Sequence, residues 1–182
     1  MRHRAFRIVV ITAAMAGSGL AGPASASSSP LIVSGHGITQ LHLGASEAVA
    51  QKVLERLLGR PTGKIVATPD MKNCGVDAVG SWKALAAYFD HRRLVGLEFG
   101  PAHVLAVQTV AGLKLGDPIS RARALYAHRF STSGTNGGAW FVATATGRID
   151  GFLSFDGAKG PTPATKILTI AVGNVGCPAM SP

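Results

Sequence analysis

The chain has 182 residues, 47% of them hydrophobic, with 18 Lys and Arg against 9 Asp and Glu and a formal net charge of +9. That length suits one ordinary domain or two small ones sharing a core. The basic residues are scattered, with no run longer than Arg92-Arg93 and no recognition motif, which argues against nucleic acid and for a solvated basic surface.

Residues 1–26 read as a signal peptide. Arg2, Arg4 and Arg7 form a basic start, Ile8 to Ala16 an apolar run, and Ala24-Ser25-Ala26 a small-x-small cleavage pattern. The apolar run is short for a bilayer span and no stop-transfer segment follows, so no stable membrane span is expected after cleavage. The expected location is secreted, outside the cytoplasm. Three of the basic residues leave with this segment, and fifteen remain against nine acidic side chains. That excess permits weak attraction to anionic cell-wall polymer. Cys74 and Cys177 are the only cysteines, and an isolated pair in an oxidising compartment is expected to close a disulfide.

Leu31 to Val33 reads as a short strand and Ser34-Gly-His-Gly37 as a turn. Gly35 and Gly37 do not make a dinucleotide fingerprint, because Gln40 stands where the third glycine belongs. Gly37-Ile-Thr-Gln-Leu-His-Leu-Gly44 is an apolar run ending in Leu-x-Leu-Gly. Ser46 is then a natural N-cap, Glu47 suits the helix dipole, and Val49, Val53, Leu54, Leu57 and Leu58 recur at helical spacing until Gly59 and Pro61. A helix over 46–58 is predicted. Lys64 to Thr68 reads as a strand leading to the Cys74 loop. Trp82 to Phe89 and Leu94 to Phe99 read as a hairpin with Asp90-His-Arg-Arg93 at its tip.

His103 to Val110 is a further strand running into Thr109-Val-Ala-Gly-Leu-Lys-Leu-Gly116, a second copy of the Leu-x-Leu-Gly motif 72 residues on. Asp117 is the expected cap there, Pro118 the first helical residue, and Ile119, Ala122, Leu125 and Tyr126 the apolar stripe. Ser131 to Gly138 and Gly157 to Pro163 read as loops. Trp140 to Thr146 and Ile149 to Phe155 form a second hairpin, and Thr165 to Val172 a closing strand. Arg93 to Leu97 aligns with Arg148 to Phe152.

The fold class expected is α+β, two tandem helix-plus-antiparallel-sheet repeats with the helices on one face of the sheet. The repeats are assigned to residues 27–107 and 108–182. The repeated Leu-x-Leu-Gly start, the amphipathic helix and the antiparallel strands after it resemble the secreted beta-lactamase inhibitory proteins, and at single-repeat level the SmpA/OmlA outer-membrane lipoproteins. The resemblance covers about Leu31 to Cys177. It implies an open, concave sheet face opposite the helices and a hairpin loop that together grip an exported or envelope protein.

Strand alternation sorts the faces independently. Val95, Leu97 and Phe99 go inward, leaving Leu94 and Glu98 outside. Leu85, Ala87 and Phe89 go in, leaving Ala84, Ala86 and Tyr88 out. Ile149, Leu153 and Phe155 go in, with Asp150, Phe152 and Ser154 out. Since aligned Leu97 and Phe152 fall on opposite faces, a bulge at Gly96 or Gly151 or a misassignment is required. One of Trp140 and Phe141 must leave the core. The candidate binding residues are therefore Tyr88, Asp90 at the hairpin tip, Glu98, Trp140, Phe141 and Phe152, because aromatic anchors free of surrounding charge suit protein recognition.

His36, His42, His91, His103 and His128 show no metal-ligand spacing, and no nucleophile, phosphate-loop or paired-carboxylate motif is present. No catalytic residue, metal or cofactor is assigned. The reading is a non-catalytic, inhibitor-like binding module. A polymer-associated envelope protein and an unfamiliar hydrolase are the alternatives.

Overall fold

A computed structural model describes residues 29–100, 105–133, 138–154 and 160–176. The expected signal segment, His103, Phe155 and Cys177 lie outside these residues. In chain order the elements are β1 (Leu31–Ser34), β2 (Gly37–Ile38), β3 (Leu41–His42), α1 (Glu47–Leu58) and β4 (Val66–Ala67), then a 3₁₀ turn (Pro69–Cys74). Next come β5 (Ala78–Trp82), β6 (Leu85–Asp90), β7 (Arg93–Phe99), β8 (Val107–Thr109) and α2 (Ile119–Tyr126). The last are β9 (Phe130–Ser133), β10 (Ala139–Thr144), β11 (Gly147–Ser154), β12 (Lys166–Ile167) and β13 (Ile170–Gly173). No helix among the described residues is long and apolar enough to cross a membrane.

The protein is mixed α+β. A large antiparallel sheet runs β4-β5-β6-β7-β13-β11-β10-β9, with β12 paired to β11. A small sheet, β3-β2-β1-β8, brings β1 parallel to β8 through Leu31 and Val107. One core lies between them. Trp82, Phe89, Leu97, Phe99, Trp140, Val142 and Ile149 from the large sheet meet Leu54 and Leu58 of α1, Ile119, Ala122 and Tyr126 of α2, and Val33 and Ile38 of the small sheet. The helices and the small sheet therefore cover one face of the large sheet.

The start of α1 follows from its sequence. The Ser46 side chain accepts from the Val49 N–H at 3.4 Å, and Gly59 at φ 86° ends the helix. Val49 is 52% exposed, so it faces solvent rather than joining the buried stripe, and Ala50 takes its place in the core. Asp117 does not cap α2. Its carboxylate accepts from the Lys114 N–H at 2.9 Å and closes the turn before the helix, while Pro118 stands at the cap position. Buried Thr109 pins the second motif, since its hydroxyl accepts from both the Tyr126 phenol and the Leu113 N–H.

The two Leu-x-Leu-Gly turns make like contacts. Gly44, at φ 86°, donates to the Leu94 carbonyl at 2.7 Å, and the Leu94 N–H returns to Ala45 at 2.8 Å. Gly116, at φ 82°, donates to Ile167 at 2.8 Å, and the Ile167 N–H returns to Asp117 at 2.8 Å. Ser46 bridges Arg93, and Pro118 bridges Lys166. β7 thus stands to the first turn as β12 stands to the second.

Several sequence expectations need correction. Leu94 is buried and Val95 only partly so, because Tyr88 pairs with Gly96 and Phe89 with Leu94, leaving Val95 as an extra, bulged residue. The strand expected from Trp82 is interrupted at Lys83, whose φ of 45° makes a turn between β5 and β6. Ser131 to Ser133, expected as loop, belong to edge strand β9. The expected strand over 165–172 is split into β12 and β13 by Leu168 and Thr169.

Candidate functional site: the outward sheet face

Cross-strand register defines the face that the helices leave uncovered. Ala86 pairs with Glu98, Glu98 with Ala171, Ala171 with Asp150, and Asp150 with Phe141. Directly paired residues share a face, so these side chains form one row across five strands. A second row carries Tyr88, paired with Gly96, which is paired with Gly173. On the far side Phe152 pairs with Ala139 and Ala139 with Ser133. Small residues at the centre and larger ones at the flanks make a trough.

The trough encloses about 1120 Å³. Tyr88 and Glu98 line one side, Arg148, Asp150 and Phe152 another, and Ala171 the floor between them. Asp70, Met71 and the segment Asn174–Gly176 frame one end. That end is built by a side-chain clamp. The Asn174 amide donates to the Cys74 carbonyl at 2.6 Å and to Gly75 at 3.2 Å, and its oxygen accepts from the Gly176 N–H at 3.0 Å. Gly96 is required where the tail crosses the sheet, because a Cβ there would lie 2.1 Å from the Asn174 carbonyl oxygen.

The polar groups are held by neighbours. The Tyr88 phenol donates to Glu98 Oε2 at 2.7 Å. Burial raises the Tyr88 ionisation well above the ordinary phenol value, and the bonded Glu98 carboxylate raises it further, so the phenol stays a donor. Arg148 Nε meets Asp150 Oδ2 at 3.0 Å, and its guanidinium carbon stands 4.5 Å over the Phe141 ring. Burial also raises the Asp150 carboxyl. Arg148 opposes that shift through charge and hydrogen bond, and the Glu98 charge adds to it.

The candidate residues divide accordingly. Tyr88 and Glu98 are together in the trough, with Phe152, which is 42% exposed. Of the neighbouring rings, Phe141 turns outward beneath Arg148. Trp140 touches the trough lining but turns its ring inward, fully buried, stacked on Phe130 at 6.0 Å and donating its indole N–H to the Thr169 carbonyl. Asp90 lies at the β6–β7 tip and does not line the trough. It pairs with His91 Nδ1 at 3.0 Å, and Asp77 Oδ2 accepts from the His91 N–H at 2.9 Å. The ligand atoms of Asp77, Asp90 and His91 lie within 4.8 Å of one another. The turn itself accounts for this group, since His91 and Arg92 are left-handed at φ 47° and 60° and Asp77 holds the first of them.

Sequence reasoning did not single out Asp150, Arg148, Ala171 or the Asp70 and Asn174 ends. The first two were legible as the outward positions beside Phe152 on an alternating strand. Ala171 needed the register of β13 between β7 and β11, and the ends needed the path of the tail. The described lining combines carboxylates, one guanidinium, a phenol and exposed ring, which is chemistry for holding cations and apolar side chains.

Among solved structures the chain is similar to the uncharacterized protein YfeY from Escherichia coli, at 12% identity and a TM-score of 0.50, covering 80% of this chain and 99% of that one. The likeness is one of fold. No protein-family model and no curated protein matches the chain.

Proposed function

We propose that this is an exported, non-catalytic binding module that presents the outward face of its large sheet to a partner protein. The observation that carries the reading is the trough that the described residues leave open, with Phe152 exposed at its rim and half-buried Glu98 and Asp150 along its sides. Contiguous apolar and polar surface of this kind is what a recognition patch offers. The like hydrogen bonding at Gly44 and Gly116 and the palindromic order of strands support a further part of the reading. The two halves are copies of one helix-plus-sheet unit, related by a pseudo-twofold between β7 and β13. Likewise Cys74 and Cys177 are joined. The Asn174 clamp brings Gly176, the residue before Cys177, alongside the Cys74 turn.

The test is site-specific photocrosslinking in secreting cells, with p-benzoylphenylalanine at position 152 and, as control, at Val49 on the solvent side of α1. One discrete adduct from position 152 and none from position 49 is the expected result. Adducts from both positions alike, or from neither, would dispose of the reading.

A further inference from the structure

The charge of the trough is opposite to that of the chain. Among the described residues three acidic side chains, Asp70, Glu98 and Asp150, line it, against one basic side chain, Arg148. A basic protein has thus gathered several carboxylates into one concavity, where low-dielectric walls strengthen the local field. Glu98 and Asp150 flank Ala171 in the same cross-strand row. Two strand spacings put their Cα atoms roughly 9–10 Å apart, with side chains standing off the same face. That leaves a gap between the carboxylates over a floor of a single methyl group.

Each carboxylate has one oxygen occupied and one open. Tyr88 holds Glu98 Oε2 and Arg148 holds Asp150 Oδ2, while Glu98 Oε1 and Asp150 Oδ1 have no hydrogen-bond partner among the described residues. Arg148 reaches Asp150 from the outer side, where it is stacked on Phe141 and its side chain is 63% exposed. The gap over Ala171 is therefore bounded by two fixed acceptors, with Phe152 beside it to contact the methylene stem of a long side chain.

We propose that the trough receives a lysine or arginine side chain from a basic segment of the partner protein, seated over Ala171 between Glu98 and Asp150. This rests on the binding-module reading above and names the chemistry of its partner. Like charge between Glu98 and Asp150, which Tyr88 and Arg148 offset only in part in the unbound chain, is relieved by the incoming cation. A carboxylate-bearing segment is repelled, and a neutral one leaves both open oxygens unpaired.

The experiment is an amide-resolved NMR titration of the full secreted chain with Ac-Gly-Lys-Phe-Gly-NH2, its Arg counterpart, and Gln and Glu counterparts as controls. The Lys and Arg peptides should shift the amides of Gly151, Phe152 and Ala171 saturably, at least tenfold more tightly than the Gln peptide. The Glu peptide should give no saturable shift. Glu98→Gln/Asp150→Asn should weaken the Lys peptide at least tenfold. Glu47→Gln/Glu55→Gln, which removes the same formal charge from α1, should change it less than twofold. Equal binding of Lys and Gln peptides by the wild type overturns the proposal, and needs no variant to fold. Loss of binding in both double variants alike overturns it too, by making the attraction nonspecific. A crosslink at position 152 that persists without any preference for cations sinks this inference alone, whereas no crosslink there sinks the underlying reading as well.

Discussion

Along β6 and β11 the inward face carries Leu85, Ala87, Ile149 and Leu153, all buried, while the same strands turn Ala86, Tyr88, Asp150 and Phe152 the other way. The inward set meets both helices and the small sheet in one continuous core. The outward set meets a tail, a 3₁₀ turn and open space. Backbone, twist and neighbours are shared, so the contrast isolates what side chains contribute. One face is spent on stability, and the other holds polar groups in fixed positions over a shallow floor.

The sharpest way to break that contrast is to truncate neighbouring rings that face opposite ways. Trp140→Ala should cost about 3–5 kcal/mol, since a fully buried indole leaves a cavity and the Thr169 carbonyl loses its donor. Phe152→Ala should stay within about 0.5 kcal/mol, as a surface change does. Urea denaturation of the two variants checks this, and comparable losses would mean that the outer face is covered and contributes to folding.

Next in size is the tie that frames the outer face. Cys74→Ser should lower stability by about 2–4 kcal/mol if residue 177 is bonded to it, because the closed loop spans most of the chain. Intact mass before and after reduction and alkylation reads the bond directly. Two thiols alkylated without a reductant would refute the pairing.

The smallest effect concerns Asp150. Its folded-state ionisation is raised, chiefly by burial. The folded protein therefore binds that proton more tightly than the unfolded chain does. The stability this contributes is complete below the ordinary carboxylate range and is lost as pH rises through the raised folded value. Asp150→Asn removes the dependence, so its melting temperature relative to wild type should climb between pH 3.5 and 7. A flat or falling difference would make the Arg148 pair, not burial, the dominant influence on the group.

Local signals carried much of the fold. Ser46 and Gly59 bracket α1 because capping is decided within a few residues, and alternation separated Ile149 and Leu153 from Asp150 and Phe152 for the same reason. What stayed open was non-local. A bulge at Gly96 or Gly151 is one of the alternatives the alternation offers; the register shift falls beside Gly96, at Val95, and its place depends on how β6 and β7 pair and on the Asn174 N–H that reaches the Val95 carbonyl. β2 and β3 are two residues each, below the length at which alternation can be seen. The sequence pairs two Arg-x-x-Gly strings, whereas the residues that hydrogen-bond to the two Leu-x-Leu-Gly turns are Leu94 and Ile167. Tyr88, Glu98 and Phe152 were legible as outward positions by strand alternation, but the trough they line needed the tail, which passes Gly96 to reach the Cys74 turn.

The last described strand, β13, lies in the middle of the large sheet, between β7 and β11. Strands made earlier from both halves must therefore wait for residues 170–173 before their inner edges are satisfied. The contact order is high by construction, and a nascent chain emerging from its N-terminus cannot settle into this architecture piecemeal. Folding becomes an act of closure by the segment that carries β13, a central strand that joins two sets of strands already made.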